Sequence, residues 1–174
     1  MKHLGTSANA ADIAVKSQLP VTLTVTLTNN TVATTETVMA RWALSANFLS
    51  AGSNLLGAFA GQVSGTAALT FRVRIGTAGT TADALAATFV TSAAGAANQA
   101  VYGDLLVSCL TAGTSGTATA AGMVLFGASP LAVATGGFTA ASVNTTAALF
   151  VSVTLVQSAA QTYTSRAATL ARSN

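Results

Sequence analysis

Charge is the scarcest property of this sequence. Seven Lys or Arg, four Asp or Glu and one His occur among 174 residues, so 6% of the chain is charged, against roughly 25% in an ordinary soluble domain. The mean hydropathy of +0.61 excludes a disordered chain, because disordered chains combine low hydrophobicity with high net charge. One His, one Cys and four carboxylates leave few groups for metal or acid–base catalysis. We therefore expect a protein that is not an enzyme.

The small numbers of cysteines and cations exclude two further classes. Cys109 is the only cysteine, so an intramolecular disulfide framework is excluded. Its apolar surroundings at residues 105–110 predict a buried and inert thiol. The pI near 9.6 rests on seven cations scattered along the chain, without the basic cluster that marks a nucleic-acid-binding surface. We expect no nucleic-acid partner.

Long apolar runs are also missing. The first ten residues contain a cation but no apolar segment after it, so no signal peptide is predicted. A membrane-spanning helix needs about 20 predominantly apolar residues. No charge occurs from residue 105 to residue 165, yet polar residues interrupt every candidate span there. We expect synthesis in the cytoplasm and no membrane partner.

Short side chains take the place of the missing charge. The chain has 39 alanines and 28 threonines, so its surface must consist largely of Ala, Thr, Ser and Gly. The surfaces of soluble proteins usually carry many charges of both signs, and these charges prevent association. We expect this surface to be covered by copies of the chain or by a partner.

Apolar residues recur with a period of two after Pro20, which predicts β-strands. Residues 21–28 alternate strictly between apolar residues and threonine, and residues 67–75 repeat this pattern before a glycine-bracketed turn at 76–81. Loops are predicted at 92–100 and through residues 130–137. Further strands are predicted at 38–44, 47–49, 55–62, 83–90, 103–111, 117–126, 145–157 and 162–171.

This spacing of strands predicts an all-β domain over residues 21–174. The predicted architecture is an antiparallel two-sheet sandwich of jelly-roll type. An immunoglobulin-like sandwich is the rival, but the Cys–Trp–Cys spacing of that fold is missing. Residues 1–20 form an extended N-terminal arm, which either becomes ordered when it docks on another molecule or is a frayed terminus.

Arg72 and Arg74 are the most informative charges. Being two residues apart on a strand, they project side by side from its solvent face, and their guanidinium groups suit carboxylates of a partner or a neighbouring subunit. The alternative is that they provide solubility and edge protection. Together with Lys2, His3 and Lys16 of the arm, they form the candidate partner interface.

Other polar and aromatic residues support weaker interpretations. Asp83 and Asp104 are interpreted as turn or loop caps, and a calcium site with backbone carbonyls is the alternative. Trp42 shares a strand face with Val38 and Leu44, so it is predicted to be a core residue rather than an exposed carbohydrate platform. We expect no catalytic residue, cofactor or bound metal.

Residues 41–80 contain an ordered series of features. A Trp at position 42 is followed by an Asn-Phe-Leu step at 47–49, by Gly52, and by an Arg-bearing strand that ends in a Gly-Thr-Ala-Gly-Thr turn at 76–80. In this order the chain resembles small β-rich virion proteins of tailed bacteriophages, and the similarity continues at residues 103–106 and 144–147. The resemblance implies a jelly-roll or related sandwich, often trimeric, on the capsid surface or on tail fibres.

The resemblance and the composition together predict a phage virion structural protein. The favoured form is a capsid decoration (cement) protein, a homotrimer that stabilises the head through contacts with the major capsid protein. The predicted location is the virion, on the capsid surface rather than the tail, after synthesis in the host cytoplasm. The alternative is a tail-fibre or receptor-binding head domain that recognises host cell-surface glycans through loop-tip aromatics, for which the candidates are Tyr102, Phe138 and Tyr163.

Overall fold

The structure, a computed structural model, describes residues 25–31, 34–91, 97–126 and 132–173, with only the backbone described at 132–138. The predicted arm at 1–20, with its interface candidates Lys2, His3 and Lys16, lies outside the described residues. The first half of the predicted strand at 21–28 lies outside them as well.

Strands account for all the regular secondary structure of the described residues. The first sheet has the order β1-β2-β10-β4-β5 and the second has the order β8-β7-β6-β3-β11. The strands are β1 (Val25–Leu27), β2 (Thr37–Leu44), β3 (Asn54–Val63), β4 (Leu69–Gly76), β5 (Ala84–Val90), β6 (Gln99–Thr111), β7 (Gly116–Phe126), β8 (Ala132–Phe138), β9 (Ala141–Val143), β10 (Leu149–Gln157) and β11 (Tyr163–Ser173).

The two sheets form the predicted antiparallel sandwich. All pairings between neighbouring strands are antiparallel, and β8 joins the sheets by pairing with both β5 and β7. The short strand β9 also pairs with β7. The all-β class is confirmed, whereas the jelly-roll connectivity is not confirmed by this strand order. The described residues contain no helix that is long and apolar enough to cross a membrane.

The core lies between the sheets and follows the period-two pattern. Along β4, the apolar residues are buried and Thr70, Arg72 and Arg74 are partly exposed on the other face. Trp42 is fully buried, which confirms its prediction as a core residue. The ring of Phe71 lies 5.2 Å from that of Phe59 and 5.7 Å from that of Tyr163, between ring centroids.

Several strand predictions were wrong. Residues 47–49 are not a strand, because the chain turns at residues 46–47, where Asn47 has a positive φ of 60°. The predicted loop through 130–137 contains most of β8, which pairing with its neighbours creates despite Gly136 and Gly137. The predicted strand at 145–157 begins only at Leu149, since the side chain of Asn144 accepts a hydrogen bond from Thr146 N at 3.1 Å in a preceding turn. Leu27, predicted to face inward, is 38% exposed.

Cys109 is a buried free thiol, as predicted. Its Sγ donates to the carbonyl of Thr111 at 3.3 Å, and burial raises the pKa of the thiol above its ordinary value. The thiolate is the reactive form of cysteine. The burial of Cys109 and the raised pKa of its thiol therefore both slow its reaction with thiol reagents.

We expect the native protein to react with a thiol reagent such as DTNB at least about tenfold more slowly than the unfolded chain at pH 8. The measurement compares the rates with and without denaturant. A Val90→Cys variant, whose new thiol lies at a position that is 61% exposed at the end of β5, serves as a reactive control. Equal rates for native and unfolded protein would contradict the buried thiol.

Candidate functional site

The outer face of the first sheet carries a cluster of three charged side chains and one hydroxyl group. We name it the Glu36 cluster, and it consists of Glu36, Arg72, Arg74 and Thr154. Arg74 binds the carboxylate of Glu36 with two nitrogens, from Nε to Oε1 at 2.6 Å and from Nη2 to Oε2 at 2.9 Å. Arg72 donates from Nη1 to Oε2 of the same carboxylate. Thr154 donates its hydroxyl to Oε1. One carboxylate therefore ties together β4, β10 and the segment before β2.

Burial differs among the members of this cluster. The side chains of Glu36 and Arg74 are each 15% exposed, while that of Arg72 is 31% exposed. Arg74 also donates from Nη1 to the carbonyl of Asp83 at 2.8 Å. All three nitrogens of its guanidinium group therefore donate hydrogen bonds within the chain. Arg72 is the more accessible of the two arginines and contacts Glu36 through one nitrogen.

The ionisation of Glu36 reflects two opposing effects. Burial by itself raises the pKa of the carboxyl group. Hydrogen bonds from Arg74 and Thr154, with the positive charges of Arg74 and Arg72, outweigh that effect and hold the pKa of Glu36 below its ordinary value. Glu36 is therefore ionised across the neutral and mildly acidic range.

A third arginine lies on the same face. Arg41 on β2 is in register with Ser152 on β10, which is itself in register with Arg74 on β4. The guanidinium carbon of Arg41 lies 5.1 Å from the ring centroid of Phe150, in the range of a cation–π contact. Three arginines and one glutamate thus give this face a positive charge.

The structure brings Arg72 and Arg74 together as the sequence predicted. Their nearest carboxylate belongs to the same chain, and the period-two pattern gives no sign of it, because Glu36 lies in the segment before β2 and reaches β4 only through tertiary packing. The role of Arg72, Arg74, Lys2, His3 and Lys16 in binding a partner stays a prediction.

Asp83 is a turn cap, as interpreted from the sequence, whereas Asp104 lies inside β6, so its interpretation as a turn or loop cap was wrong. Asp83 is 7% exposed, and its carboxylate accepts backbone N–H groups from Ala78 at 3.1 Å, Gly79 at 2.7 Å and Thr80 at 3.2 Å. The carboxylate thus satisfies the amides of the turn between β4 and β5. This turn holds the end of β4 that carries Arg74.

The outer face of the second sheet has a different character. We name it the alanine face, and define it as the outer surface of strands β11, β3, β6 and β7 between the rows of Asn54 and Gln62. At its centre is a shallow cavity of about 140 Å³. The cavity is lined mainly by Ala58, Ala60, Tyr102, Ala167 and Thr169.

Two exposed apolar side chains lie on the alanine face outside the lining of this cavity. Leu56 on β3 is 52% exposed and Met123 on β7 is 40% exposed. Tyr102 is 42% exposed and donates its hydroxyl to Oδ1 of Asp104 at 2.7 Å, a hydrogen bond that raises the pKa of Tyr102. Asp104 is thus the one carboxylate that the described residues place on this face.

The aromatic residues predicted at loop tips are located elsewhere. Tyr163 is 1% exposed and belongs to the core, so its prediction as a glycan-binding residue was wrong. Tyr102 lies in the middle of β6 rather than in a loop. The side chain of Phe138 lies outside the part of the chain that the structure describes.

Comparisons with protein families, with curated proteins and with solved structures find no match to this chain.

Proposed function

We propose that this chain is a non-enzymatic virion structural protein of a tailed bacteriophage, and that it acts as a capsid decoration (cement) protein. The observation that carries the proposal is the alanine face, a flat surface of short and apolar side chains on four adjacent strands. Contiguous exposed apolar surface marks an interaction site. In a chain with 6% charged residues, such a face suits lasting coverage by protein.

The two outer faces support different contacts. Short side chains let the alanine face approach another backbone closely, so that sheets pack at about 10 Å. The opposite face offers Arg41 and Arg72, and arginine binds carboxylates on a partner with well-defined geometry. We propose that copies of this chain associate with one another through the alanine face, and that the opposite face meets the major capsid protein.

The decisive experiment is a count of copies per particle. Virions of the phage that encodes this chain would be purified, and the ratio of this protein to the major capsid protein measured by quantitative mass spectrometry. Capsid decoration predicts comparable copy numbers for the two proteins. A few copies per particle, together with binding to glycan arrays, would favour the tail-fibre or receptor-binding alternative. Absence from the particle would overturn both.

Removal of residues 1–19 tests the arm. We expect the truncated protein to attach to undecorated heads at least about tenfold more weakly than the full chain, since an ordered arm adds contacts to the docked domain. Attachment is measured by co-sedimentation with heads. A full-length variant with Lys2, His3 and Lys16 changed to alanine separates the charge of the arm from its length. Undiminished attachment of the truncated protein would remove any role for the arm.

A further inference from the structure

We infer that the alanine face is a two-fold contact between two copies of this chain. The proposed contact places the outer surface of the second sheet of one copy directly on the same surface of the other. It rests on the proposed association of copies through the alanine face and specifies the symmetry of that contact, a two-fold pair in place of the homotrimer expected from the sequence.

The size of the face is adequate for a specific contact. Strands lie about 4.8 Å apart and rise about 3.3 Å per residue, so four strands between the rows of Asn54 and Gln62 cover roughly 500 Å² in each copy. Specific interfaces at the lower end of the size range bury under about 600 Å² per partner. We therefore expect a pair of moderate affinity, which dissociates on dilution.

The shape of the face is complementary to itself. The floor of the cavity consists of short side chains, including Ala58 and Ala60, while Leu56 and Met123 project beside it. In a two-fold pair the same patch occurs on both sides of the contact. Each copy thus offers a cavity for an apolar side chain and apolar side chains to fill one.

The alanine face also carries one negative and one positive side chain, which can pair with each other between two copies. Asp104 is in register with Ala58, while Arg166 reaches Gln62 from β11 with Nη2 to Oε1 at 3.3 Å. Within the described residues, the ion pairs are those of the Glu36 cluster, so neither Asp104 nor Arg166 has a charged partner there.

The two charges are placed so that one operation can pair both. Asp104 is in register with Ala58, and Arg166 lies in the bulge of β11 between Ser165, which is in register with Gly61, and Ala167, which is in register with Ala60. A two-fold axis that lies in the contact plane, perpendicular to the line from Asp104 to Arg166, places Asp104 of each copy opposite Arg166 of the other. A face with a single charged group, or with two of the same sign, would lack this property.

Two-fold symmetry is also favoured because it gives a closed pair rather than an open chain of copies. The alternative contact would place the alanine face of one copy on the outer face of the first sheet of the next. Those faces lie on opposite sides of one sandwich, and head-to-tail contacts of this kind extend into open chains unless a rotation closes them. Packing of identical faces ends at two copies and covers the apolar surface completely.

Charge exchange tests the contact on the full chain. Asp104→Arg and Arg166→Asp each place like charges opposite each other at both ends of the two-fold contact, so each is expected to raise the dissociation constant about tenfold or more. The double variant restores two opposite-charge pairs and is expected to return to within about threefold of the original affinity. Sedimentation equilibrium over a range of concentrations measures all four proteins.

Two apolar positions provide a matched control. Leu56→Asp places a charge inside the proposed contact and is expected to give monomers. Val90→Asp changes a residue that is 61% exposed at the end of β5, outside the alanine face, and is expected to leave the pair intact. Unchanged thermal unfolding shows that each variant is folded.

The outcomes separate this inference from the proposed function. A mass of two chains with rescue by the double variant supports the contact. A monomer at all concentrations, a mass of three chains as in the predicted homotrimer, or a double variant no better than the single ones would overturn it. These measurements use the purified protein without particles, whereas the count of copies per virion tests the function.

Discussion

Replacing Glu36 with glutamine is expected to lower the free energy of unfolding by about 2 kcal/mol at neutral pH. The substitution keeps the size of the side chain but removes the negative charge that both Arg72 and Arg74 share. Arg74 is only 15% exposed, so water replaces the lost interaction poorly. Loss of one partner from a fully buried ion pair costs about 3–5 kcal/mol, and the partial exposure of Arg72 reduces that cost.

The same substitution is expected to change the response to acid. The pKa of Glu36 is lower in the folded protein than its ordinary value of 4.5, so the unfolded chain binds the proton more tightly. The stabilising contribution is therefore complete above the unfolded-state pKa and is lost as the pH falls through the folded-state pKa. The free energies of unfolding of the original protein and Glu36→Gln should converge as the pH falls below that range.

Urea denaturation at a series of pH values measures both effects. Asp104→Asn, measured at a concentration at which the two-fold pair is dissociated, is the matched control, because it also neutralises one carboxylate but at an exposed position, where the expected change is within about 0.5 kcal/mol. A Glu36→Gln variant with unchanged stability at neutral pH would show that the cluster does not hold the segment before β2 in place. A constant difference between the two proteins down to low pH would contradict the assigned ionisation.

Replacing Gly103 with alanine is expected to lower the free energy of unfolding by about 3 kcal/mol. The ring of Phe59 packs directly against the backbone of Gly103, and a Cβ there would overlap Cζ and Cε1 of that ring. Real Cβ contacts never approach so closely. Phe59 is 4% exposed and its ring also packs on Phe71, so the ring has little room to move.

A second substitution makes this prediction specific. Phe59→Leu removes the ring atoms that would meet the new Cβ, at a cost of about 1 kcal/mol for the smaller side chain. In the Phe59→Leu background, Gly103→Ala should cost about 1 kcal/mol or less, so the two substitutions should couple strongly. The four proteins form a double-mutant cycle measured by urea denaturation. Additive effects would mean that Gly103 is required for a reason other than the ring of Phe59.

The period-two pattern predicted which side of β2 and β4 faces the core, but it failed on β1, where Leu27 is exposed. On β4, Phe71 and Val73 are buried while Arg72 and Arg74 face outward, because successive side chains of a strand point to opposite faces and only apolar ones gain by burial. The burial of Trp42 followed from the same reasoning, and that of Cys109 followed from its apolar neighbours at residues 105–110. The scarcity of charge was likewise a property of the sequence alone.

Strands without that pattern became visible only in the structure. Gly136 and Gly137 in β8 have no side chains to alternate, and the strand exists because β5 and β7 supply hydrogen-bonding partners on both sides. Tyr163 was predicted at a loop tip, yet it begins β11 and its ring packs on Phe71. Pairing between distant strands decides these positions, and a local pattern contains no information about it.

The sequence by itself determined an all-β chain with very few charges and two adjacent outward arginines. Only the tertiary structure decided that Glu36 binds both Arg72 and Arg74, and that Asp104 and Arg166 share the outer face of the second sheet. The physical reason is that alternation is a local property of the chain, whereas the partner of a charge is set by strand order and register. Residues far apart in the sequence meet only after those are formed.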